Sequence, residues 1–89
     1  MDPIARKKQK EQLLRDIEAW NGLDPRGFMD IVRNAVDIDL KYMRDLMKAF
    51  GVDREEIRKW SAGKVVPDDF NRYAIIEQLR ESLEKDLNA

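Results

Sequence analysis

Residues 40–67 read LKYMRDLMKAFGVDREEIRKWSAGKVVP, and this stretch decides the fold. Two short runs with apolar residues at helical spacing flank Phe50-Gly51-Val52. The first places Leu40, Met43, Leu46, Met47 and Phe50 inward, and the second Ile57 and Trp60. A tight junction between helices needs a residue that accepts positive φ cheaply, and Gly51 supplies it. Asp53 followed by Glu56 gives a capping-box pattern, with aspartate in place of serine or threonine. Gly63 ends the second run, and Phe50 and Val52 plug the junction. Leu46 before the turn and Ile57 and Trp60 after it face one interior, as helices crossing at ~90–120° require.

Outward from this pair, the same grammar repeats. Asp24 caps a helix with Pro25 in its first turn, and Phe28, Ile31, Val32, Ala35 and Val36 form its apolar stripe. Asp37 or Asp39 then opens the run containing Leu40. Upstream, Asp2 caps a first helix with Pro3 in its first turn, Leu13, Ile17 and Trp20 on one face, Leu14 beside them and Asn21-Gly22 as the stop. Downstream, Pro67 opens a fifth helix to about Leu87, lined by Phe70, Tyr73, Ile76, Leu79, Leu83 and Leu87. No alternating strand pattern and no internal repeat occurs. The expected fold is all-α: a compact bundle of about five helices containing a helix-turn-helix. Residues 1–89 make one domain, with an extra N-terminal helix over 1–22 and a helix-turn-helix core over 26–80.

Composition narrows the chemistry. The chain is 43% hydrophobic and 39% charged, which suits amphipathic helices with crowded polar faces. It contains neither cysteine nor histidine, so disulfides and thiolate metal sites are excluded, and the commonest metal ligand and general base are missing. No cofactor motif and no nucleophile–base constellation stands out, so neither a cofactor, a metal nor an enzymatic activity is expected. Glu55-Glu56 and Asp68-Asp69 read as helix-start residues favoured by the dipole. No apolar run approaches the ~20 residues of a membrane span. Met1 to Lys10 is polar and charged, unlike a signal peptide, and a cytoplasmic location is the expectation. The net charge is −1, but its distribution is lopsided. Arg6, Lys7, Lys8, Lys10 and Arg15 make the first helix basic, while Glu77, Glu81, Glu84 and Asp86 make the last acidic.

Leu46, Phe50-Gly51-Val52, Ile57, Trp60, Gly63 and Pro67, followed by Ile75, Ile76 and Leu79, give a cadence that resembles the helix-turn-helix repressors of the lambda-repressor/Cro (XRE-like) family. The resemblance spans roughly residues 26 to 80. It departs at Met47, where the family prefers a small residue, and in the acidic pI of about 5.5. It implies a recognition helix from about Arg54 to Ala62 and a role as a sequence-specific transcriptional regulator bound to double-stranded DNA. On that reading Arg54, Glu55, Arg58, Lys59 and Ser61 face the bases, and Lys64 and Lys41 sit near phosphates. The plain alternative for the basic residues is a solvated helix face. The rival function is a protein–protein interaction module that keeps the scaffold without binding DNA, favoured by the near-neutral charge and the acidic last helix.

Small domains of this kind usually pair as two-fold homodimers on DNA. Leu13, Leu14, Ile17 and Trp20 on the first helix, and Leu79, Leu83 and Leu87 on the last, offer apolar surface for it. The opposite charges of those helices favour packing within one chain for most of that surface, with a smaller dimer contact left on the last helix.

Overall fold

Aspartates head four of the helices. In each case the side chain accepts a hydrogen bond from a backbone N–H of the first turn, satisfying a donor that has no partner inside the helix. Asp24 accepts from Arg26, Asp39 from Lys41, Asp53 from Glu56 and Asp68 from Asn71, at 2.9–3.1 Å. The computed structural model describes residues 3–88. Its helices are α1 (Pro3–Ala19), α2 (Pro25–Ile38), α3 (Leu40–Phe50), α4 (Arg54–Ala62) and α5 (Asp69–Leu87). The chain is thus an all-α bundle of five helices over the described residues. The Asp2 cap expected for α1 lies outside them. Asp39, rather than Asp37, begins α3, and α5 starts at Asp69 with Asp68 as its cap, slightly later than Pro67 implied.

Helix α2 is the hub: it packs on α1, α3, α4 and α5. Phe28, Ile31, Val32 and Ala35 are buried, as their spacing predicts. Helices α1 and α5 lie side by side in opposite directions. Lys10 reaches Asp86 at one end, and the rings of Trp20 and Tyr73 lie 6.4 Å apart at the other. Leu13 and Ile17 of α1, and Leu79 and Leu83 of α5, are buried inside the single chain. Most of the apolar surface that offered itself for dimerisation is therefore consumed by intramolecular packing.

Inward assignments are corrected on two helices. Leu40 is 63% exposed, and Tyr42, fully buried, takes its place. At ~100° per residue, Leu40 stands ~120° around the helix from the buried Leu46, whereas Tyr42 and Met43 fall within ~60° of it. On α5, Phe70 and Tyr73 are 81% and 63% exposed. The buried face is Ile75, Ile76, Leu79 and Leu83. A strict i+3 ladder drifts by ~60° per step, so Phe70 ends up opposite Leu79. Arg72 lies inward instead, only 7% exposed. Its Nη1 donates to the Pro67 carbonyl at 2.8 Å and its Nη2 pairs with Asp69, which fastens the connection before α5 onto that helix.

Candidate nucleic-acid interface

The α3–α4 pair turns at Gly51, whose φ is +64°. The next turn signal, Gly63, has φ +74° and closes α4, where the Lys64 N–H donates to the Lys59 carbonyl at 3.0 Å. Between these glycines α4 is pinned by its inner face. Ile57 is fully buried and Trp60 is 5% exposed, so the helix cannot roll without opening the core. Helix α4 packs on α2 as well as on α3, a double support that holds its outer face in one orientation.

That outer face carries Arg54 and Arg58, both exposed, with the small Ala62 next on the same i, i+4, i+8 line. Glu55 flanks them and is exposed. Lys59 is half-buried. Ser61 is also half-buried, and its hydroxyl donates to the Arg58 carbonyl at 3.0 Å, so the oxygen stays close to the helix. Lys64 is exposed just past the helix end. Among the described residues, no ion pair within 4.0 Å engages Arg54, Arg58, Lys59 or Lys64.

Helix α3 adds two cations that the sequence reading passed over. Arg44 and Lys48 are exposed at i, i+4 spacing, each ~160° around the helix from Leu46. The signal was present: two basic residues one turn apart, opposite a buried leucine. Between residues 44 and 64 the chain holds six cations against four carboxylates, so this segment is positive although the whole chain is at −1.

Lys41 belongs elsewhere. Its ammonium pairs with Asp86 of α5, in a cluster that joins three helices. Tyr42 donates its hydroxyl proton to Asp86 at 2.6 Å, and Lys10 reaches the same carboxylate at 3.3 Å and Asp39 at 3.7 Å. The Lys10 ammonium also stands 5.7 Å from the centre of the Tyr42 ring. Burial works to raise the Asp86 carboxyl, but the hydrogen bonds from Lys41, Tyr42 and Lys10 outweigh it and hold it below the usual carboxylate range. The hydrogen bond to Asp86 raises the Lys41 ammonium in turn, against a smaller desolvation effect. Burial, then the Asp86 hydrogen bond and charge, push the Tyr42 phenol far above its ordinary value. Nothing in the sequence pattern singled out Asp86, because its partners lie 44 to 76 residues away. This cluster clamps α1, α3 and α5 together, and it spends the charge of Lys41 inside the fold.

Among the described residues, no helix is long and apolar enough to cross a membrane. Compared with family models, curated proteins and solved structures, the chain matches none.

Proposed function

We propose that this chain is a sequence-specific DNA-binding transcriptional regulator, with α3 and α4 as its helix-turn-helix and α4 as the recognition helix. One observation carries the reading: Arg54 and Arg58 lie exposed on one line of α4, with no ion pair among the described residues, while the inner face of the same helix, Ile57 and Trp60, is locked in the core. Such a helix presents its cations without prior desolvation or loss of an ion pair. An α-helix fits the major groove, where arginine pairs with guanine O6 and N7, and a neighbouring glutamate such as Glu55 accepts from cytosine N4. Ala62 keeps the line low enough for close approach. Arg44, Lys48 and Lys64 supply phosphate contacts that set register without reading sequence. The resemblance to lambda-repressor/Cro-like domains supports the same assignment. On this reading the chain acts as a two-fold dimer on paired half-sites in the cytoplasm.

Selection from a pool of random duplexes, followed by binding at two salt concentrations, tests this. A consensus should emerge and affinity should fall with salt. Failure to enrich any duplex overturns it. The second reading, a protein–protein interaction module without DNA binding, has one observation in its favour: large apolar side chains stand exposed away from α4. Enrichment of a consensus duplex decides between the two.

A further inference from the structure

Trp20, just past the end of α1, is half-buried and held in place from two sides. Its indole N–H donates to the Asp24 carbonyl at 2.9 Å. On α2, a Cβ built at Gly27 would stand 2.8 Å from the indole Cδ1, so glycine gives the ring its room. Tyr73 of α5 faces Trp20, with ring centres 6.4 Å apart and planes tilted by 37°. The two rings border a cavity of about 130 Å³ between α1 and α5, completed by the buried Ile17 and Ile76 and by Glu18, Glu77 and Arg80. That volume is about four waters' worth. It is too small for a whole organic cofactor, whose pockets begin near ~300 Å³, and it suits one compact head group.

The walls select the chemistry of that group. Glu18 and Glu77 are exposed, and among the described residues neither forms an ion pair within 4.0 Å. Arg80 has a partner on its own helix, with its Nε 3.8 Å from the Glu84 carboxylate. The cavity therefore offers two uncommitted negative charges, against one cation already shared, beside two aromatic rings. A cation within ~6 Å of a ring centre is attracted by the ring quadrupole. With the centres 6.4 Å apart, one charge reaches both rings. Ile17 and Ile76 offer no side-chain hydrogen-bond acceptor, so on their side a primary ammonium loses water that nothing replaces. A methylated ammonium meets them with apolar methyl groups instead. We propose that the cavity between Trp20, Tyr73, Glu18 and Glu77 binds a methylated ammonium group, carried by a small molecule or by a methylated lysine side chain. Its lining lies on α1, α5 and the turn after α1, so α3 and α4 stay free and this binding is separate from that of DNA.

Titration of the full chain with choline, followed by the indole N–H resonances, tests this without DNA. The Trp20 signal should shift saturably in the millimolar range, as a ligand of few atoms requires. The buried Trp60 should not move, and sodium chloride at equal ionic strength should have no effect on either. The neutral isostere of choline, with carbon in place of the quaternary nitrogen, should bind at least about 5-fold more weakly. Tyr73→Leu keeps an apolar side chain but loses the ring, and should weaken choline binding by about 5-fold. Glu77→Gln should weaken it by about 3-fold. Both positions are exposed, so the thermal midpoint should stay at the wild-type value. An acetylated trimethyllysine amide, run beside choline, names the source: tighter binding assigns the side chain, weaker binding the small molecule. Absence of a Trp20 shift with either ligand overturns the proposal. Equal affinity for choline and its neutral isostere overturns it too, as do both variants binding choline at wild-type strength.

Discussion

At the scale of single residues, the two faces of α4 separate stability from binding. Trp60 and Ile57 sit in the core, so Trp60→Ala should cost ~3–5 kcal/mol, read as a lower midpoint in urea. Arg54 and Arg58 are exposed and make no ion pair among the described residues. Arg58→Ala should leave the urea midpoint within about 0.5 kcal/mol of wild type and weaken binding to a selected duplex by ~1–3 kcal/mol. Loss of stability without loss of affinity would reverse the roles assigned to this side chain. Lys41 makes the contrasting case. From sequence it looks like a phosphate contact, yet its ammonium is held by Asp86. Lys41→Ala should therefore lower thermal stability more than it lowers DNA affinity, measured side by side. Leu83, at the last helix's expected dimer surface, is fully buried, and Leu83→Glu should unfold the chain rather than dissociate a dimer.

At the scale of elements, the turns are where sequence and structure agree most closely, for a physical reason. Helix starts and stops depend on one or two residues and their own backbone. Asp24, Asp53, Gly51 and Gly63 were therefore legible, and the capping bonds and left-handed glycines follow. Which side of a helix faces inward depends on neighbours that sequence spacing alone does not specify. The i+3 ladder Phe70–Tyr73–Ile76–Leu79 reads as one stripe, but it winds half-way round α5 before reaching the core. Leu40 and Tyr42 exchanged places for a related reason: the tyrosine has a distant carboxylate waiting for its hydroxyl. The outer face of α4 was legible because it is the complement of Ile57 and Trp60, two residues close in sequence to it. The cluster around Asp86 was not, because it is assembled from three helices. Gly51 gives a clean test of turn chemistry. Space around it is open, so a side chain there meets only backbone strain. Gly51→Ala should destabilise by ~1–2 kcal/mol, and Gly51→Asn by clearly less, in parallel thermal melts. Equal losses would mean that crowding, not φ, sets the cost.

At the scale of the whole molecule, the Asp86 clamp sets the pH response. The Asp86 carboxyl is depressed in the folded state, so its contribution is present above the ordinary carboxylate range and is lost as pH falls through the folded value. Lys41 and Tyr42 are both raised, so theirs is present below about pH 10 and is lost as pH climbs beyond it. The thermal midpoint should be flat across neutral pH and fall below about pH 4. Asp86→Asn should cost about 1–3 kcal/mol at pH 7 and flatten the acid limb. An unchanged acid limb in that variant would place the sensitivity on other carboxylates. The clamp also has a consequence in time. Lys10 and Asp86 are 76 residues apart, yet one holds the other. During synthesis α1 emerges long before α5; α2 can cover one side of it early, but the side that packs on α5 has no cover until α5 has formed. The chain therefore cannot complete its fold from the front. The side of α1 that carries Lys10 stays open until Asp86 arrives, so the contact between α1 and α5 closes after the contact between α1 and α2 can already have formed.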